Sequence, residues 1–214
     1  MKVCFVFFII QNMEALIHPT YFPSISHFVV MAQSDRIVFE MEDNFQKQTN
    51  RNRMYIYSPN GIQLLNIPIK HSKESRQMTK DIRLETAFDW QKQHFKSLEA
   101  AYRNSPFFEF FEDDIMPIFE KKHTFLMDLN FHSIEIVSKC LGLKFDSIKT
   151  EEYFRNPKQT DFRALADGKK DLFQFEAYPQ VFEEKFGYLN NLSILDLLFN
   201  EGRHALTYLK NQRL

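Results

Sequence analysis

The sequence predicts an α/β (or α+β) fold: an N-terminal β-loop-α-β unit plus a hairpin forming a mixed sheet, followed by a helical C-terminal half. Three observations carry this expectation. Short apolar runs at residues 15–17 and 36–40 read as strands, and the segment between them has the capping residues of a helix. Ser58-Pro59-Asn60-Gly61 lies between two β-rich runs, which is a hairpin signal. From residue 88 onward, apolar residues recur at helical spacing, with breaks at Ser105-Pro106 and Gly142.

Taken in order, Ala15-Leu16-Ile17 ends in His18-Pro19-Thr20-Tyr21-Phe22-Pro23. The two prolines stiffen this loop, since each fixes its own φ and biases the preceding residue towards extended geometry. Ser24 to Ser34 caps and forms a short helix, and Arg36 to Glu40 returns as a second strand. Met54 to Tyr57 and Ile62 to Ile69 flank the Asn-Gly turn, and Ile82 to Glu85 reads as one more strand. Asp89 caps a helix to about Arg103, with Phe88, Phe95, Leu98 and Tyr102 near one face. Pro106 starts a second helix through Phe107, Phe111, Ile115 and Phe119. Phe125 to Leu141 makes a third, ended by Gly142. Residues 144–176 are more polar and predict loop, with short strands near Phe145 and Phe173. Tyr178 to Phe186 and Ser193 to Leu209 complete a helical tail.

Composition narrows the function classes. A chain of 214 residues with 44% hydrophobic residues and 24 phenylalanines supports one packed domain, placed at 13–209, with 210–214 as a tail. A formal net charge of -1 argues against a dedicated nucleic-acid binder. Cys4 and Cys140 give neither a disulfide framework nor a Cys-x-x-Cys metal spacing, which fits a reducing cytoplasm. The five glycines form no phosphate-binding loop and no dinucleotide fingerprint, so no cofactor is expected. Residues 1–12 need separate treatment. Val3 to Ile10, after Met1-Lys2, mimics a secretory core, but no Ala-x-Ala-like cleavage site follows. The run is also too short to cross a bilayer. It reads as an extra edge strand, or as a leader ahead of a natural start at Met13, with secretion as the third alternative.

The candidate site residues follow from their chemistry. His18 stands at a strand end, where α/β proteins build their sites, and imidazole is the side chain whose pKa best suits a general base. Tyr21 in the same loop orients a substrate oxygen or packs in the core. Arg51 and Arg53 share a face if residues 50–57 form a strand, and two guanidinium groups there suit a diphosphate or carboxylate. Asn52 would face the other way, and Lys47 would add positive potential. Trp90 and His94 share a helix face, offering a stacking platform for a sugar and a partner acid for His18. His71 is a further candidate for substrate binding. The histidine spacings match no zinc signature, so no metal is expected.

Five stretches in order carry a family resemblance: His18-Pro19-Thr20-Tyr21-Phe22-Pro23, Asn50-Arg51-Asn52-Arg53-Met54-Tyr55-Ile56, Trp90 with His94, Ser105-Pro106-Phe107-Phe108, and Asn191-Leu192-Ser193-Ile194-Leu195-Asp196 preceded by Tyr178-Pro179. In these residues the chain resembles the WbqC-like proteins over roughly 13–209. Gly202-Arg203 departs from the Gly-Pro usual there. The resemblance implies a role in surface polysaccharide and O-antigen biosynthesis, with transfer of glycine or another acyl group onto an activated sugar. A small-molecule sugar or nucleotide sugar would be the partner, alongside other enzymes of a biosynthetic pathway. Two alternatives stay open: a non-catalytic sugar-binding scaffold, and a nucleotidyltransferase-like enzyme in which Ser26-His27 stands where a Gly-His pair is usual.

Overall fold

The structure, a computed structural model, describes residues 13–70 and 76–214. In chain order its elements are β1 (Glu14–Ile17), α1 (Ile25–Gln33), β2 (Arg36–Phe39), β3 (Arg53–Ser58), β4 (Gly61–Asn66), α2 (Trp90–Tyr102), α3 (Phe108–Glu120), α4 (Leu126–Leu141), β5 (Asp146–Lys149), β6 (Thr160–Asp161), α5 (Glu183–Phe186), α6 (Ile194–Glu201) and α7 (Ala205–Asn211). The α/β class holds. Four strands make a parallel sheet in the spatial order β5-β2-β1-β6. β1 runs in register with β2 from Glu14↔Arg36 to Ile17↔Phe39, and β6 adds to its other side through Ala15↔Thr160 and Leu16↔Asp161.

The apolar runs form strands because both faces of the sheet are covered. Ala15, Leu16, Ile17, Ile37, Val38 and Phe39 are all buried. β5 and β6 are different: every residue in them is exposed, so no apolar pattern marks them. They exist because edge positions beside β2 and β1 offer backbone partners. The hairpin β3–β4 pairs only with itself among the described residues and stands as a separate antiparallel ribbon, not as part of one mixed sheet. Residues 82–85 form isolated pairings, Ile69 with Leu84 and Arg83 with Phe125, where a strand was expected. No strand forms at Phe173, and within 178–186 only α5 is helical, because backbone groups of this stretch bond to side chains such as Asn190 and Glu183. The leader at 1–12 lies outside the described residues.

The helical punctuation is as the sequence implies, with three changes of detail. Asp89 precedes α2, but its side chain makes no cap hydrogen bond. Ser24 precedes α1, but its hydroxyl makes no cap; it bonds to Ser26 and His27 instead. The first amides of α1 are capped from afar, Ile25 N–H by Leu192 O at 3.0 Å and Ser26 N–H by Asn191 Oδ1 at 2.9 Å. The C-terminal helix divides at Gly202, whose φ is +56° and where a Cβ would lie 2.8 Å from the Phe107 ring, so only glycine fits. Asp196, fully buried on α6, accepts hydrogen bonds from Tyr102 at 2.8 Å, Tyr178 at 2.6 Å and Gln180 at 2.9 Å, tying α6 to α2. Among the described residues no helix is long and apolar enough to cross a membrane.

Candidate functional site

Counted along the chain, the parallel strands lie in the order 3-2-1-4, so the direction of winding reverses between β1 and β6. In such sheets the crevice beyond the carboxyl ends of the strands, at the reversal, is where ligands bind. Each strand here ends in polar residues. His18 follows β1, Glu40 follows β2, Thr150 follows β5, and Asp161 with Arg163 closes β6. A cavity of ≈ 360 Å³ opens there, lined by His18, Arg51, Tyr153, Arg155, Arg163 and Lys170 together with Asp161 and Asp167. The loop from β5 to β6 passes over it, since Tyr153 and Arg155 are contributed by that loop.

The electrostatics are set by buried ion pairs. Arg51 is 2% exposed and donates to Asp43 Oδ2 at 2.6 Å and Thr49 Oγ1 at 3.2 Å. Arg163 donates to Glu40 at 3.0 Å and to Asp161 at 2.7 and 2.9 Å, and its guanidinium lies 4.8 Å from the Tyr153 ring centre. Glu40 is wholly buried and also accepts from Thr150 Oγ1 at 2.8 Å. Lys170 pairs with Asp167 at 3.1 Å, whereas Arg155 has no ion-pair partner among the described residues. His18 Nδ1 is 3.6 Å from Asp43 Oδ2, a distance that would favour a charged imidazole. Burial opposes that charge, with help from Arg51 and Arg163, and the His18 pKa falls well below the ordinary value. Burial wins because Asp43 is already held by Arg51 at the shorter distance. His18 is a neutral imidazole at neutral pH, able to take a proton.

The site loops are clamped from α4. Asn130 Nδ2 donates to Pro19 O at 3.1 Å and to Arg51 O at 2.9 Å, holding the His18 loop against the Arg51 loop. Ser133 Oγ accepts from Phe22 N–H at 3.1 Å, and Asn130 is itself completely buried. Of these unforeseen residues only Glu40 carries a sequence signal, being polar directly after a strand as His18 is. Asp43, Asn130 and Arg163 carry none.

The structure does not bring the expected residues into one group. Arg51 and Arg53 line different cavities, because β3 begins at Arg53 and strand alternation does not reach back to Arg51. Arg53 donates through Nε to Asn66 Oδ1 at 3.2 Å. Asn52 is buried at the base of the hairpin, donating to Ile67 O at 2.9 Å and Asn66 Oδ1 at 3.2 Å, so it holds structure and not substrate. His94 is no partner acid for His18: the Asn66 carbonyl can only accept, so Nε2–H donates to it at 3.3 Å and Nδ1 accepts from the Tyr21 hydroxyl at 3.1 Å. Burial lowers the His94 pKa to about 4. Tyr21 is 0% exposed, and Trp90 at 5% packs edge-on against both Tyr21 and His94, so the indole is core and offers no open stacking face. Lys47 is exposed and lines neither cavity. His71 lies outside the described residues. His27, the other histidine of the proline loop region, is fully buried with Nδ1 2.9 Å from Ser24 Oγ. It does not face the crevice, as a nucleotidyltransferase histidine would.

Comparison with known proteins agrees with the sequence reading at the level of family. The model of the WbqC-like protein family matches residues 18–172, which span every residue of the crevice. An uncharacterized protein of Mycobacterium tuberculosis (strain ATCC 25618 / H37Rv), Rv1507c, is similar at 25% identity over 224 residues, covering 92% of this chain and 96% of that protein. No solved structure matches this chain.

Proposed function

The chain belongs to the WbqC-like protein family, and from that membership and the crevice we propose that it is a transferase moving an acyl or aminoacyl group onto a phosphorylated or nucleotide-activated sugar. The observation that carries the reading is a neutral, buried imidazole beside the buried guanidinium group of Arg51 at the reversal point of a parallel sheet. His18 takes the proton of the acceptor hydroxyl or amine as that atom attacks the acyl carbonyl. The imidazolium that forms then passes its proton to the departing group. Arg155 and Lys170 meet the anionic part of the sugar substrate, while Arg51 and Arg163, each held by carboxylates, frame the crevice. The reading places the chemistry in the cytoplasm, where activated sugars are made, next to other enzymes of the same pathway.

The strand order favours one other reading, nucleotidyl transfer, because 3-2-1-4 is shared with nucleotide-binding sheets. Mass spectrometry of reactions containing nucleotide sugars, sugar phosphates and activated amino acids separates the two. Acyl transfer adds the acyl mass to the sugar, and nucleotidyl transfer releases pyrophosphate. His18→Gln should lower acyl transfer by about 10²–10⁴-fold, the usual contribution of a general base. Ligand stabilisation, about 2.7 kcal/mol at a hundredfold excess over Kd, should survive the substitution. Binding without any mass change in the wild type would refute the transferase and leave a sugar-binding scaffold.

A further inference from the structure

A second cavity, of ≈ 290 Å³, adjoins the crevice. The same two chain segments wall both. Along 46–53, Gln46 and Arg51 face the crevice while Gln48, Asn50 and Arg53 face the second cavity. Along 167–171, Asp167 and Lys170 face the crevice while Gly168, Lys169 and Asp171 face the other side. Asn50 N–H donates to Ala166 O at 2.8 Å, which joins the two segments into one partition. Neither the family match nor the transferase chemistry assigns the second cavity a role.

We propose that the second cavity binds the uncharged ring of a sugar. This rests on the reading of the crevice given above, and it adds a separate site with different chemistry. Four carboxamides line the cavity, Gln48, Asn50, Asn190 and Asn191, where the crevice has only Gln46. A carboxamide donates and accepts at once, as does each hydroxyl of a sugar. Asn190 and Asn191 are committed to the wall: they bond to Phe173 O, Phe175 N–H, Ser26 N–H and Asp171. The side-chain carboxamide of Asn50, by contrast, makes no hydrogen bond among the described residues. Its seat depends on Gly168, where a Cβ would lie 3.3 Å from Asn50 Nδ2. The Tyr55 ring and Ile62, which is 59% exposed, supply the apolar surface that the C–H face of a sugar ring requires.

Arg53 and Lys169 line the cavity together with Asp171, but the helix terminus beside them offers a phosphate no free amide. Although α1 begins here, its amides at Ile25 and Ser26 already donate to Leu192 O and Asn191 Oδ1. Asp171 adds a carboxylate to the same wall. Two residues that line it, Gln48 and Asn191, hold positive φ without being glycine, at 62° and 56°. Such strain collects where a binding surface over-determines its backbone.

The test uses the full chain, neutral methyl glycosides (gluco, galacto, manno, fuco and N-acetylglucosamine) as cavity probes, and inorganic pyrophosphate as the crevice probe. Calorimetry should find at least one glycoside that binds. Asn50→Leu should weaken it at least tenfold and Gly168→Ala several-fold, with pyrophosphate affinity unchanged and melting temperatures confirming folded variants. Arg163→Gln should weaken pyrophosphate and leave the glycoside alone. No glycoside binding, or binding indifferent to both cavity substitutions, overturns the proposal. Glycoside binding lost only on Arg163→Gln overturns it too, because the ring would then sit in the crevice. Glycoside binding sensitive to Asn50→Leu, with no pyrophosphate binding, supports the cavity and tells against the crevice reading alone.

Discussion

His94→Gln should make the protein less sensitive to acid, and the size of the effect follows from the surroundings of the ring. His94 is 3% exposed, with one nitrogen donating to Asn66 O and the other accepting from Tyr21. Burial lowers its pKa from 6.5 to about 4. The unfolded chain therefore binds this proton first, and stability present above 6.5 is lost as pH falls towards 4. Between about pH 7 and about pH 5 the linkage integral comes to about 2 kcal/mol, at 1.36 kcal/mol per unit of separation. Carboxylates and the other histidines titrate in the same range, so the wild type alone is no test. The difference between wild type and His94→Gln cancels them. Urea unfolding followed by the fluorescence of the lone tryptophan, Trp90, at several pH values gives that difference, provided the slope m is unchanged. Wild type should lose about 2 kcal/mol relative to the variant over this interval. A gap constant to within about 0.5 kcal/mol would mean that His94 is already protonated or solvated in the fold, and the assignment of its hydrogen bonds would fail.

Two further expectations concern the frame of the crevice. Arg51→Met should cost about 3–5 kcal/mol in chemical denaturation because it leaves Asp43 buried and unpaired, and adding Asp43→Leu should restore much of the loss. Asn130→Ala should cost about 1–3 kcal/mol for each of the two carbonyls it orphans, Pro19 O and Arg51 O, measured in the same way.

In the proposed transferase, the crevice and the second cavity divide the labour. One holds charge next to a neutral base; the other holds hydroxyl-like partners next to an apolar strip. The partition between them is built from loops, and α4 fixes those loops through Asn130 and Ser133. A site assembled this way depends on the packing of a helix that contributes no residue to either cavity.

The sequence by itself determined β1, α1 and β2, the hairpin turn, and the limits of α2, α3 and α4. Each of these is written in local periodicity or in a single punctuating residue such as Pro106 or Gly142, and burial of one face reinforces the local preference. It also placed His18 and Arg51 among the candidates, since polar residues beside strand ends stand out against an apolar background. The short strand expected near Phe145 forms as β5, but the tertiary structure alone decided that β6 is a strand, because exposed edge residues carry no hydrophobic pattern and gain their conformation from a neighbouring backbone. It alone decided which side chains meet. Glu40 and Asp43 lie far from His18 in sequence and Arg163 lies far from all three, and the strand order that gathers them at the carboxyl ends of the strands has no local signature. The same packing took His94 and Trp90 into the core, since helix spacing fixes which residues share a face but not what that face is pressed against.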